Sequence, residues 1–243
     1  MSMSKISPSL IKYLSKIGNH PVGICSWSLK KGRMSTLNME LQEMAITQIQ
    51  LNLVPLINSK KEFEYVNSKQ NSNQWHVISG MVEMIGEDYS TIQSIRNTGG
   101  VISDKYWKDN MNRFENACLV ASRLGLGLVT MHAGFIPNEM SSNNYIKIKE
   151  RIKTCTDIAQ KYQLALGLET GQETANELLD FILSLDCSNL GINFDPANIL
   201  LYGSGDPIKS FKQISHLVFQ VHLKDAIASS IKDKWGHEVP VGE

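Results

Sequence analysis

Seven short apolar runs rich in Val, Ile and Leu recur along this chain, separated by longer and mostly helix-patterned segments, and that alternation restricts the fold more than any other feature. The runs are "VGICSW" (22–27), "ITQIQLNLV" (46–54), "WHVISGMVEM" (75–84), "GLVTMHAGF" (127–135), "LALGLET" (164–170), "LGINFDP" (190–196) and "VFQVHLKD" (218–225). Strand-length apolar runs alternating with helices are the mark of βαβ units and a parallel sheet. Residues 107–126 read as a helix in which Phe114, Cys118, Leu119, Ala121 and Leu124 share a face. Residues 143–163 and 174–186 read the same way, the second opening on Thr174 with Glu177 three residues on, a capping box. The segment 67–74, "NSKQNSNQ", reads as a polar loop rather than a domain boundary. With no internal repeat or linker, residues 1–243 are read as one domain.

A length of 243 residues suits one α/β barrel or a doubly wound sheet. For a (β/α)8 TIM barrel the count is one strand short, because only eight strands close the ring. Completion would take roughly 35 more residues, so the sequence reads as a C-terminally incomplete barrel lacking its eighth strand and last helix. Lys plus Arg and Asp plus Glu both number 24, and without a basic stripe there is no electrostatic case for nucleic acid as a partner. Cys25, Cys118, Cys155 and Cys187 form no CxxC pair, which fits reduced, packed thiols in a cytoplasmic protein. No run reaches the ~20 apolar residues of a membrane span, and the N-terminus has no signal-peptide core.

In barrels of this kind chemistry gathers where strands end. Glu83, His132, Glu169, Asp195 and His222 stand at the ends of five successive runs, and Asn198, Lys224 and Asp225 follow closely. Carboxylates and an imidazole arriving from different strands form a ligand set for a hard divalent cation. Asp195 lies 26 residues after Glu169, and His222 27 after Asp195. Each step is about one βα unit, so the three belong on neighbouring strands. Singly, each has an ordinary reading: Glu169 as a helix cap, Asp195 before Pro196 as the start of an Asx turn, His222 as a satisfied core histidine. Their recurrence at one position of successive units favours a shared site. His132 is equally compatible with packing and with orienting a substrate hydroxyl. Trp27 could wall a sugar pocket, although a tryptophan on a first strand more commonly belongs to the core.

The strings "GLETGQETANELLDFI", "GINFDPANILLYGSGDPIKSF", "VFQVHLKDA" and "WGHEVPVGE" resemble the sugar phosphate isomerase/epimerase group of the xylose isomerase-like TIM-barrel superfamily. The resemblance covers the last third of the chain strongly and the rest in strand order. It implies one divalent metal ion (Mn, Mg, Co or Zn) held by Glu, Asp, His and a second Glu, with Glu169, Asp195 and His222 on the first three positions. The fourth position falls on no residue here, since Glu243 belongs to a segment that precedes the ligand-bearing strand. Many relatives carry a His where this chain has Asn198, which hydrogen-bonds but does not titrate near neutrality.

These features imply a metal-dependent sugar or sugar phosphate isomerase/epimerase that moves a proton beside a carbonyl through an enediolate. Glu169 is the candidate base. His132, Asn198, Lys224, Gln172 and Glu83 are candidates for holding hydroxyl or phosphate oxygens, with Asp225 orienting Lys224. A homodimer is compatible with this reading. Two rivals stand beside it: a catalytically silent metal- or sugar-binding barrel, and an endonuclease IV-type nuclease. The nuclease would need several more histidines than the pattern supplies, and His20, His76, His216 and His237 lie outside it.

Overall fold

The computed structural model describes residues 16–17, 20–30, 32–231 and 234–243. Seven parallel strands lie side by side in chain order: β1 (Ile24–Cys25), β2 (Gln48–Asn52), β3 (His76–Met81), β4 (Leu128–Met131), β5 (Ala165–Glu169), β6 (Leu190–Phe194) and β7 (Val218–Val221). All seven fall within the runs read from the sequence. The strands are short, and the inner ones are covered on both faces: β6 is buried at every residue, and β5 at all but its first, as expected where helices pack outside a parallel sheet, whereas β7 at the open edge is partly exposed.

The helices are α1 (Met34–Glu43), α2 (Val54–Asn58), α3 (Lys60–Asn71), α4 (Ile92–Thr98), α5 (Trp107–Arg123), α6 (Asn143–Lys161), α7 (Ala175–Leu185), α8 (Pro196–Tyr202) and α9 (Pro207–Ile214). On α5 the buried stripe runs through Phe114, Ala117, Cys118 and Ala121. Leu124 joins it just beyond the helix, whereas Leu119 is only half-buried. The predicted capping box holds, with Thr174 accepting from the Glu177 amide and Glu177 from the Thr174 amide.

The expected loop at 67–74 is a correction: residues up to Asn71 belong to α3. Ser59 caps that helix through the Glu62 amide, Val66 buries its inner face, and Asn73 ends it with a left-handed φ of 55°. The polar residues that looked like a loop are its solvent face and its cap. Trp75, Phe114 and Phe181 are among the largest fully buried side chains, and truncation of such a ring to alanine costs about 3–5 kcal/mol.

The sheet curls on itself. Ser79 of β3 donates to Gln220 Oε1 of β7 at 2.5 Å, and Gln50 of β2 meets His222, just past β7, at 2.8 Å. Among the described residues β1 pairs only with β2 and β7 only with β6, so the ring is open between β1 and β7. Register shifts break the ladders at Ile49/Gln50 and Ile192/Asn193. Such irregularities re-aim side chains, and here they fall at residues whose amides face the interior.

Two short strands, β8 (Asp225–Ile227) and β9 (His237–Val239), form an antiparallel hairpin at the same end as the β7 terminus. The four cysteines are free thiols. Among the described residues no helix is long and apolar enough to cross a membrane.

Candidate metal centre

Glu169 is the last residue of β5, and Asp195 and His222 directly follow β6 and β7. The parallel ladder brings these ends level: Glu169 pairs with Asn193, the Thr170 amide donates to Asn193 O, and the His222 amide donates to Phe194 O. One ligand atom from each of the three lies within 4.8 Å of the others, and all three residues are buried. His222 Nδ1 stands 3.4 Å from Glu169 Oε1 and 3.5 Å from Asp195 Oδ2.

The two oxygens of Asp195 do different things. Oδ1 accepts from the Ala197 and Asn198 amides at 2.9 and 3.2 Å, capping α8. Oδ2 is buried with no hydrogen-bond partner among the described residues. The turn-forming and ligand readings of Asp195 are therefore compatible, one on each oxygen. A buried anionic oxygen is costly without compensating charge; here His222 Nδ1 at 3.5 Å and Lys224 Nζ at 3.3 Å supply it, and a cation held between Glu169, Asp195 and His222 would take the place of the His222 proton. The hard oxygen and imidazole donors suit a divalent ion.

His222 has its other nitrogen fixed. Nε2 lies 2.8 Å from Gln50 Oε1, while the Gln50 amide donates to Thr130 Oγ1 at 2.9 Å. With the Nε2 proton given to Gln50, Nδ1 is the nitrogen that faces the carboxylates, and once it sheds its own proton its lone pair points where a metal ligand requires. Burial disfavours charge on His222, but the Asp195 and Glu169 acceptors outweigh it and raise its pKa well above the usual range. For Glu169, burial also opposes ionisation; the charges of His132, His222 and Lys224 overcome it and pull the carboxyl down to about 2. In the metal-free protein a proton on His222 thus stands in for cationic charge.

Around this centre opens a cavity of about 1380 Å³, into which Trp27, Tyr89, His132, Asn198, Lys224 and Glu238 project. Asn198 donates to Glu169 Oε1 at 3.1 Å and to Thr170 O at 3.0 Å. His132 Nε2 lies 3.7 Å from Glu169 Oε2, with its ring edge-on to Tyr89. Lys224 Nζ reaches Asp195 Oδ2 at 3.3 Å and Glu238 at 2.7 Å. Trp27 is exposed in the cavity, 6.1 Å from the His222 ring, rather than packed in the core.

Three of the residues singled out from sequence lie elsewhere. Asp225 does not orient Lys224: its oxygens accept from the Ala226 and Gly242 amides and hold the β8–β9 hairpin, while Asp195 and Glu238 pair with the lysine. Gln172 donates to Gly134 O and faces a neighbouring cavity. Glu83 is exposed beyond β3 and does not line the cavity, whereas Glu87 further along that loop interacts electrostatically with His132.

Gln50, Ser79, Thr130, Asn193 and Gln220 form a polar layer beneath the site that is not among the residues expected from sequence. The signal was present as polar residues alternating with apolar ones inside the runs, as in "QIQLN".

Two carboxylates and an imidazole converging at the strand ends of a parallel α/β barrel could hold a metal ion, and the barrel itself is matched among known proteins. The model of the xylose isomerase-like TIM barrel matches residues 76–243, more than two-thirds of the chain, and the chain belongs to that family. The crystal structure of a xylose isomerase domain protein from Planctomyces limnophilus is 29% identical over 84% of this chain and 75% of its own, with a TM-score of 0.79. The E. coli 3-keto-D-glucoside 4-epimerase has a TM-score of 0.64 at 12% identity, covering 82% of this chain and 77% of its own. A xylose isomerase-like TIM barrel protein from Mycobacterium smegmatis, solved in complex with magnesium, has a TM-score of 0.67 at 13% identity, covering 90% and 80%. No curated protein matches this sequence.

Proposed function

We propose that this chain is a divalent-metal-dependent isomerase or epimerase that moves a proton beside the carbonyl of a ketose or sugar phosphate, through an enediolate. One observation carries the reading: one ligand atom from each of Glu169, Asp195 and His222 converges within 4.8 Å of the others, all three residues being buried. These three residues would hold the cation. When bound, it would supply Lewis-acid polarisation of the substrate's carbonyl and adjacent hydroxyl oxygens, worth several kcal/mol. The epimerase among the structures of similar fold and the magnesium in another are consistent with this chemistry.

The remaining work falls to the chain's own groups. Glu169, kept ionised by its cationic neighbours, accepts the carbon-bound proton. His132 and Lys224 donate to substrate oxygens, Asn198, whose two N–H hydrogens go to Glu169 Oε1 and Thr170 O, accepts from a substrate hydroxyl through Oδ1, and Trp27 and Tyr89 give the cavity apolar faces that limit water. Burial raises the Tyr89 hydroxyl pKa, so it stays a neutral donor. Among the described residues the acids lining the cavity are Glu169 and Glu238, which makes Glu238 the acid available for returning a proton from a second direction.

The test is solvent exchange. Metal-loaded protein incubated with ketoses and ketose phosphates in deuterated water incorporates label beside the carbonyl of at least one of them, and Glu169→Gln abolishes it. A folded, metal-bound protein that exchanges no member of the panel overturns the proposal.

A further inference from the structure

Glu169 has two tasks in the proposed reaction, holding a cation and taking a carbon-bound proton, and its two oxygens stand in different company. Oε1 lies 3.4 Å from His222 Nδ1, the nitrogen that also meets Asp195 Oδ2, and accepts from Asn198 at 3.1 Å. Oε2 lies 3.7 Å from His132 Nε2 and accepts from Asn193 Nδ2 at 3.4 Å. Oε1 is therefore the oxygen on the side of the other two ligands, and Oε2 is the one that faces His132.

Asn193 stands at the end of a chain of side chains that reaches across the barrel from β3. Ser79 Oγ donates to Gln220 Oε1 at 2.5 Å, Gln220 Nε2 donates to Asn193 Oδ1 at 3.1 Å, and Asn193 Nδ2 donates to Glu169. A carboxylate only accepts, so it fixes the direction of the whole chain. It turns the Asn193 nitrogen toward itself, which leaves Asn193 Oδ1 for Gln220 and Gln220 Oε1 for the serine hydroxyl. Ser79 and Asn193 are fully buried. A reversed Asn193 amide would set oxygen against carboxylate and nitrogen against the Gln220 nitrogen, and unmade buried hydrogen bonds of this kind are costly.

The backbone delivers the chain at one level. Glu169 is opposite Asn193 in the ladder of β5 and β6, and the register slip at Ile192/Asn193 brings Gln220 rather than Phe219 opposite Asn193. A shift of one residue changes which side chains share a face, and such slips re-aim side chains beside active sites. Gly191 makes room for this one, because a Cβ there would collide with the Phe219 ring.

We propose that Asn193 is a positioning residue, aligned by Gln220 and Ser79, that holds Glu169 with Oε1 toward the cation and Oε2 reserved for the proton. This rests on the reading of Glu169 as ligand and base, and the experiment separates the two. Infrared difference spectra between Mn²⁺-loaded and metal-free protein give the separation of the asymmetric and symmetric carboxylate stretches, which is wider for a carboxylate bound through one oxygen than through both. Carboxyl-¹³C glutamate distinguishes Glu169 from Asp195. Wild type shows the wide separation. Asn193→Leu, which keeps the bulk and drops the donor, narrows it, and Gln220→Met, which leaves Asn193 present but unheld, narrows it less. In the solvent-exchange assay at saturating Mn²⁺, Asn193→Leu loses about 100-fold in label incorporation, the scale of a misplaced base. Glu169 bound through both oxygens in wild type, or a separation unchanged in Asn193→Leu, overturns the positioning role; if Asn193→Leu does not fold, an unchanged separation in Gln220→Met does so. Exchange by Asn193→Leu at the wild-type rate also overturns it. Absence of exchange by wild type with every sugar, with the infrared narrowing present, removes the isomerase reading and leaves the positioning of Glu169 standing.

Discussion

Replacing Gln50 with leucine would separate the imidazole from the acceptor that fixes its orientation while leaving Glu169, Asp195 and His222 in place. Gln50 Oε1 accepts from His222 Nε2 at 2.8 Å in a buried position. Leucine has similar bulk and no acceptor, so the Nε2 proton loses its nearest partner. A buried donor left unpaired costs about 1–3 kcal/mol, and the ring can relieve that cost by rotating or by moving its proton to Nδ1, either of which takes the lone pair away from the carboxylates. Metal affinity therefore falls roughly 10- to 100-fold, the range seen when a partner supporting a metal-bound histidine is removed. Gln50→Glu keeps an acceptor and restores affinity. The assays are calorimetric titration with Mn²⁺ or Zn²⁺ and ¹⁵N spectra of the His222 ring in the Zn²⁺-loaded protein, which report the tautomer independently of any activity. A folded Gln50→Leu protein with wild-type metal affinity and an unchanged His222 tautomer refutes the reasoning.

Asp195→Asn keeps an oxygen for the α8 amides but removes the charge that pairs with His222 and Lys224, so the metal-free protein melts lower than wild type and metal affinity drops at least about 100-fold; Asp195→Ala loses the cap as well, about 1 kcal/mol further. The raised pKa of His222 means that Nδ1 must shed a proton before it can ligate. Metal affinity accordingly rises with pH, with about one proton released per cation, and titration in buffers of different ionisation enthalpy counts it. Glu173 has a folded pKa of about 7 against an ordinary 4.5. The unfolded chain gives up this proton first, so the group's contribution to stability falls as pH rises through that window, by about 3 kcal/mol in total. Glu173→Gln flattens the pH dependence of urea unfolding between those limits, and parallel profiles for variant and wild type would show that burial has not shifted the carboxyl.

The sequence by itself carried the elements: all seven strands, the capping box at Thr174 and Glu177, and the placement of Glu169, Asp195 and His222 at successive strand ends. These are local properties. Apolar periodicity sets whether a segment is strand or helix, and a parallel ladder places the ends of consecutive strands level. The polar tail of α3 has the composition of a loop because an exposed helical face and a loop draw on the same residues, and only the Ser59 cap and the burial of Val66 distinguish them.

What the tertiary structure alone decided depends on how far the sheet curls and where its register slips. Gln50 meets His222 across 172 residues of sequence, and the register shifts beside Gln50 and Asn193 turn the polar layer inward. Lys224 could be placed near the site from its position after His222, but its pairing with Asp195 and Glu238 rather than Asp225 follows from the hairpin folding back over the strand ends. Contacts of this kind arise from the summed twist of seven strands, a quantity no single stretch of residues encodes.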